Sequence, residues 1–131
     1  MAKLPAIGQD HLFRKTYGGK KFYASTVVVY VLPDRHARFL QKAHPEKKRV
    51  NRVGITVTKK TGNAVVRNRV KRIIREAYRQ LDSQMSIKTG MLVVISAREA
   101  ATNSNTATVK KDILWALRKL EMIQIQNRSE Q

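Results

Sequence analysis

The side chains best able to move a proton or hold a divalent metal are nine carboxylates and three histidines, and their spacing keeps them apart. A protein nuclease needs either carboxylates gathered around a metal or an acid–base pair of the histidine kind. Asp10, Asp34, Glu46, Glu76, Asp82, Glu99, Asp112, Glu121 and Glu130 each stand alone, none within four residues of another. His11, His36 and His44 offer an acid–base pair in principle, but two of them fall in a stretch that reads as a connection. No glycine-rich phosphate loop or Ser/His/Asp arrangement is present, and the absence of cysteine excludes disulfides and thiolate metal sites. The expected catalytic set is empty, and no tightly bound metal is expected.

Binding chemistry is another matter. The stretch KKTGNAVVRNRVKRIIRE, residues 59–76, holds seven cations and one acid in eighteen positions. A solvated helix normally mixes in acids to form i,i+4 pairs. This one aims its charge outside the chain. The whole protein has the same bias, with 27 Lys+Arg against 9 Asp+Glu and a formal charge of +18 on 131 residues. Such a charge speaks to partners rather than to fold: nucleic acid, an anionic membrane surface or an acidic protein.

The elements that must position these cations follow from periodicity. Val66, Val70, Ile73, Ile74, Ala77 and Leu81 make one apolar helical stripe, centred near Val70 and Ile73. Arg67, Lys71, Arg75 and Arg79 then form a ridge at i, i+4, i+8 and i+12. Asn68 and Arg72 lie beside the ridge, and Arg69 lies round the other flank next to Glu76. One face of the helix is for burial on a sheet and the other for a polyanion. No spare apolar surface is left for lipid, so no membrane partner is expected. Asn63 reads as the N-cap of this helix, after a Thr61-Gly62-Asn63 turn. Lys59 and Lys60 precede its N-terminus, whose unpaired N–H groups themselves favour phosphate.

Around this helix the chain reads as one nucleic-acid-binding domain over residues 1–131, with 1–8 and 124–131 frayed. A short helix is expected over 9–17, closed by Gly18-Gly19. FYASTVVVYVLP, residues 22–33, reads as a β-branched strand stopped by Pro33. A long basic connection occupies 34–51 and includes Lys47, Lys48 and Arg49. RVGITVT, residues 52–58, reads as a strand. The basic helix should run to about Leu81, Gly90 opens a central strand over 91–97, and a last helix starts near Thr106 with Val109, Ile113, Ala116, Leu117 and Leu120 inward. The fold class is α+β, a single-domain α/β sandwich with a small mixed sheet and helices.

GITVTKKTGNAVVRNRVKRIIREAYR, residues 54–79, resembles the signature of the bacterial ribonuclease P protein component. It has a strand, then KK-x-GNAV-x-RNR-x-KR, then an apolar pair and Arg-Glu. The order of the other elements agrees, so the resemblance extends from about Phe13 to Leu120. It implies a left-handed βαβ crossover, similar to the second domain of a ribosomal protein of the small subunit, where the general rule expects a right-handed one. It further implies a partner, the ribonuclease P RNA, and a substrate, precursor tRNA, whose 5′ leader the complex removes. Mg²⁺ would serve the RNA, and no obligate protein partner is implied. The implied RNA-docking residues are Lys59, Lys60, Asn63, Arg67, Asn68, Arg69, Lys71, Arg72 and Arg75. The implied leader-binding residues are Phe13, Tyr17 and Tyr30, aromatics suited to stacking on unpaired bases. Phe13 fits equally a plain core position, and Tyr30 a half-buried sheet position with its hydroxyl in water. The family places an acid directly before the first helix's phenylalanine, whereas here Asp10 is followed by His11-Leu12-Phe13, which leaves the register of Tyr17 open.

A structural ribosomal or other RNA-binding protein has the same size and charge, and the 59–76 signature is what separates the two readings. A DNA-binding module is less suited, since no helix-turn-helix pair or dimer heptad is visible. MAKLPAIG at the start has no apolar h-region and no stretch reaches membrane-span length, so a cytoplasmic location is expected.

Overall fold

The computed structural model describes residues 7, 10–36 and 51–123. Among these residues three helices, α1 (Asp10–Tyr17), α2 (Ala64–Gln84) and α3 (Thr106–Lys119), pack on four strands. These are β1 (Lys20–Tyr23), β2 (Val27–Pro33), β3 (Arg52–Thr56) and β4 (Met91–Ala97). The sheet order is β1-β2-β4-β3. β1–β2 and β2–β4 are antiparallel, and β3–β4 is parallel, so α2 is the crossover between two adjacent parallel strands. The sheet is therefore mixed and the class α+β, as expected. Lys47, Lys48, Arg49 and His44 lie outside the described residues. So do the expected frayed ends, except for Ile7, which is buried and donates its N–H to Val53 O at 3.3 Å.

The strand period of two sorts side chains between two layers. Val27, Val29 and Val31 of β2, with Val53, Val93 and Ile95, face α2 and α3 and form the main core. Val70, Ile74, Ala77, Tyr78 and Leu81 of α2 and Val109, Ile113, Ala116 and Leu117 of α3 complete it. The alternate residues Tyr30, Leu32, Leu92 and Val94 face α1, where they pack with Ile7, Leu12, Phe13 and Tyr17. Leu92 through Ile95 are buried on both faces, as suits a central strand carrying helices on each side.

Two expectations need correction. Residues 22–33 are not one strand but parts of two, joined by a turn at Ala24-Ser25-Thr26. That turn lacks the Gly, Pro or Asn that would announce it. It is held instead from afar: Asp112 Oδ2 on α3 accepts from Thr26 N at 2.9 Å and Thr26 Oγ1 at 2.6 Å, while Arg98 Nη1 donates to Ala24 O at 2.7 Å. The buried stripe of α2 is also displaced. It centres on Ile74 and Ala77 and includes Tyr78, leaving Ile73 only partly buried.

Tyr78 is 1 % exposed, and its hydroxyl meets Asn51 Nδ2 at 3.4 Å. Asn51 does more than that. It donates to Lys88 O at 2.7 Å and accepts from Met91 N at 2.9 Å, clamping the connection from α2 to β4. Burial pushes the Tyr78 hydroxyl up to about 12 from 10.0, with the Asn51 contact acting weakly the other way. The fold thus favours the neutral phenol. This stabilisation is intact below pH 10 and drains away between pH 10 and about 12, as the unfolded chain ionises first. Ultraviolet titration should show a phenolate signal that is still incomplete near pH 11 and finishes together with unfolding. Tyr78→Phe should remove that late step while costing no more than about 1 kcal/mol, because Asn51 keeps its carbonyl partner.

Candidate nucleic-acid interface

The basic surface begins where β3 ends. Lys59 and Lys60 stand exposed on a 3₁₀ turn closed by Gly62 N–H to Lys59 O at 3.3 Å. Asn63 then caps α2, its Oδ1 accepting from Val66 N at 3.0 Å, as its residue type suggests. Its side-chain oxygen is therefore engaged within the chain, and what it can offer outward is the amide N–H₂. Asn68, Arg72 and Arg75 are exposed and Lys71 is half-buried. Among the described residues, no ion pair engages Lys59, Lys60, Lys71, Arg72 or Arg75.

Other members of the expected set are tied inward. Arg67 is half-buried and gives Nη1 to Gly62 O at 3.0 Å, bracing the turn that precedes its own helix. Arg69 donates to Thr102 O at 2.9 Å and Ser104 O at 3.1 Å, stapling α2 to the segment that leads into α3. A guanidinium carries five N–H donors, so both can still meet phosphate, yet both also hold the fold. Arg79 pairs with Glu76, whose carboxyl its hydrogen bonds hold below the usual range. Arg69, expected beside Glu76, is turned elsewhere, and the ridge ends effectively at Arg75.

The other sheet face carries a groove of about 480 Å³ lined by Asp10, Phe13, Arg14, Tyr17 and Thr56. Gly54 makes it possible: a Cβ there would lie 2.5 Å from both Cε1 and Cζ of Phe13, so the ring rests directly on bare backbone. Tyr17 meets Tyr30 edge to face, ring centroids 4.8 Å apart. Burial first, and then neighbouring Tyr23 and Tyr17, raise the Tyr30 hydroxyl above its ordinary value, so it stays a neutral donor. Lys21 Nζ lies 5.8 Å from the Tyr30 ring centroid, and Thr56 Oγ1 and Ser96 Oγ are 2.6 Å apart on the floor. All three expected aromatics therefore pack in one cluster on this sheet face, each half-buried. Tyr17 lines the groove together with Phe13 of the same helix.

Arg14, Lys21, Gly54, Thr56 and Ser96 were not foreseen here. Period-two alternation through KKFY carries a signal for Lys21, but only the β1–β2 register, Lys21 opposite Tyr30, puts it on this face. The groove and the basic helix share a joint. Thr56 lines the one, and Lys59, three residues on, begins the other. Half-buried aromatics flanked by cations suit unpaired nucleotides, while an exposed cationic helix flank suits a phosphate backbone. Among the described residues no group of three or more His, Asp or Glu side chains could hold a metal, and no helix is long and apolar enough to cross a membrane.

Comparison with known proteins points the same way. A family profile described as Ribonuclease P matches residues 1–121. The ribonuclease P protein component of Clostridium kluyveri is 33 % identical over 114 residues, 86 % of this chain and 91 % of that one. That of Clostridioides difficile is 38 % identical over 108 residues, 82 % of this chain and 83 % of its own. The solved Staphylococcus aureus RNase P protein superposes with a TM-score of 0.72 at 25 % identity, covering 93 % of this chain and all of that one. The Thermotoga maritima RNase P protein shares the fold, with a TM-score of 0.64 at 23 % identity over 95 % of this chain and 100 % of its own.

Proposed function

The chain belongs to the bacterial ribonuclease P protein family, the protein component of an endoribonuclease complex in tRNA processing, and from that premise we propose a division of labour between its two faces. The flank of α2 with Lys59, Lys60, Lys71, Arg72 and Arg75 docks on the phosphate backbone of the ribonuclease P RNA, with Asn63, Arg67, Asn68 and Arg69 adding contacts around it. The groove of Phe13, Tyr17 and Tyr30 holds the unpaired 5′ leader of precursor tRNA. Catalysis resides in the RNA, and the Mg²⁺ the family implies is held there. The scattered carboxylates of this chain fit that assignment, having no cluster of their own among the described residues. The complex works in the cytoplasm without an obligate protein partner.

The observation that carries this reading is Phe13 seated on Gly54 beside the Tyr17–Tyr30 pair, an aromatic wall left half open to solvent. A plain core would close over such rings. The test uses the reconstituted complex. Tyr17→Ala, or Gly54→Ala, which forces the Phe13 ring off the sheet, should weaken precursor tRNA binding by about 1–3 kcal/mol. Binding of mature tRNA, which has no leader, should hold. Equal losses for both substrates would mean that the groove is only structural. Wild-type protein should also restore cleavage by the RNA subunit at low Mg²⁺, whereas protein without RNA should cleave nothing.

A further inference from the structure

Beyond the groove, the described residues expose only three large apolar side chains, and two of them share one depression. Trp115 on α3 is 51 % exposed and Tyr23 at the end of β1 is 62 % exposed. Both line a hollow of about 410 Å³ together with Phe22, Ser25, Arg98 and Asp112. A single exposed aromatic needs no explanation. Two on the walls of one hollow, beside edge strand β1, form a platform.

The surroundings say what the platform suits. Lys111, Arg118 and Lys119 are exposed at i−4, i+3 and i+4 from Trp115, and Lys119 Nζ lies 4.8 Å from the Trp115 ring centroid. Asp112 spends Oδ2 on Thr26 and Arg98 spends Nη1 on Ala24 O, leaving one carboxylate oxygen and further guanidinium N–H groups without a partner among the described residues. An acceptor and a donor beside stacking rings match the edge and face of a nucleobase, and the three cations match its flanking phosphates. The hollow also continues the groove. Lys21 lies opposite Tyr30, and Tyr23 is the next residue of edge strand β1 on that same face. Tyr30, Lys21 and Tyr23 thus lead across the sheet face to the edge that Tyr23 shares with Trp115.

We propose that the hollow between the β1–β2 hairpin and α3 is a second subsite for single-stranded RNA, with Tyr23 and Trp115 stacking bases and Lys111, Arg118 and Lys119 holding phosphates. It rests on the RNA-binding reading above but not on the leader assignment. Trp115 is the chain's sole tryptophan, so its fluorescence reports this site alone. Titrating the full chain with a short oligouridylate should quench that emission. A blunt RNA duplex of matched phosphate count should leave it nearly unchanged. Tyr23→Ala and the Lys111→Gln/Lys119→Gln pair should each raise the oligouridylate midpoint about tenfold. Neutralising Lys71, Arg72 and Arg75 on α2 should leave the midpoint within about twofold, since that flank is a separate surface. Equal quenching by duplex, or loss of quenching in the α2 variant, would reduce the effect to general attraction and overturn the subsite. No response to any oligonucleotide would also overturn it and leave Trp115 to a protein partner. If that happens while Tyr17→Ala still weakens precursor tRNA binding selectively, the leader groove stands and only the subsite falls.

Discussion

Replacing Lys71, Arg72 and Arg75 together with glutamine should lower affinity for ribonuclease P RNA by about 3–6 kcal/mol, or roughly 10²–10⁴-fold, at moderate salt. These three are chosen because none is engaged in an ion pair among the described residues, whereas Arg67, Arg69 and Arg79 hold Gly62, the Thr102–Ser104 carbonyls and Glu76. The dependence of binding on salt should flatten too. Losing three phosphate contacts should reduce the slope of log K against log salt by about 2–3, because fewer counterions are released on docking. Stability should not fall, since two of the side chains are exposed and the third is half-buried. Removing like charge from a chain at +18 relieves repulsion, if anything. Ile74→Ala is the control of opposite sign. It should cost about 2–5 kcal/mol of stability as a fully buried truncation, yet leave RNA affinity of the folded fraction intact. Unaltered affinity and slope in the triple variant would move the docking surface off α2.

Arg52→Met should cost about 3 kcal/mol of folding stability or slightly more. Asp34 is 2 % exposed, and Arg52 meets it with two bonds, Nε to Oδ2 at 2.7 Å and Nη2 to Oδ1 at 2.9 Å. Asp34 Oδ1 also accepts from His36 N at 3.1 Å. The hydrogen bond to Asp34 raises the already high pKa of Arg52 against the opposing effect of burial, so this partner is charged throughout the usable pH range. Removing it takes both of these charged bonds from a buried carboxylate. Removing the acid instead, by Asp34→Asn, should cost less, because the Arg52 side chain is 25 % exposed and can turn to water. Replacing both, Asp34→Leu with Arg52→Met, should recover much of the loss. Urea denaturation at constant m value is the measurement. Equal small losses in the two single variants would mean the pair is solvated and worth little. The pair also joins the end of β2 to the start of β3, the strand that carries Gly54 and Thr56. Arg52→Met should therefore loosen the aromatic groove before the α2 flank.

The helices were legible because their signals are local. Asn63 caps α2 by reaching only three residues ahead to Val66, and Asn105 caps α3 the same way with Thr108. The chain-wide excess of cations and the 59–76 signature likewise need no tertiary context. Period alone placed the α2 stripe only approximately. Ile73 and Ile74 are equally apolar, and it is the sheet and α3 that decide which of them is enclosed. The hairpin at Ala24-Ser25-Thr26 was invisible, because its stabilising partners are 86 and 74 residues away at Asp112 and Arg98.

The candidate sites divide on the same line. That this chain binds a polyanion follows from charge, which is additive and indifferent to geometry. Which cations are available follows from hydrogen bonds that no spacing rule foretells: Arg67 and Arg69 are half spent on backbone carbonyls, and Arg79 on Glu76. The aromatic groove is likewise a product of register. Phe13 is aromatic in the sequence, but it becomes a platform because β3 presents Gly54 under the ring. Lys21 joins it because β1 pairs Lys21 with Tyr30. Residue type determined what chemistry was on offer, and strand pairing decided which side chains meet, since a shift of one residue would send each of them to the opposite face.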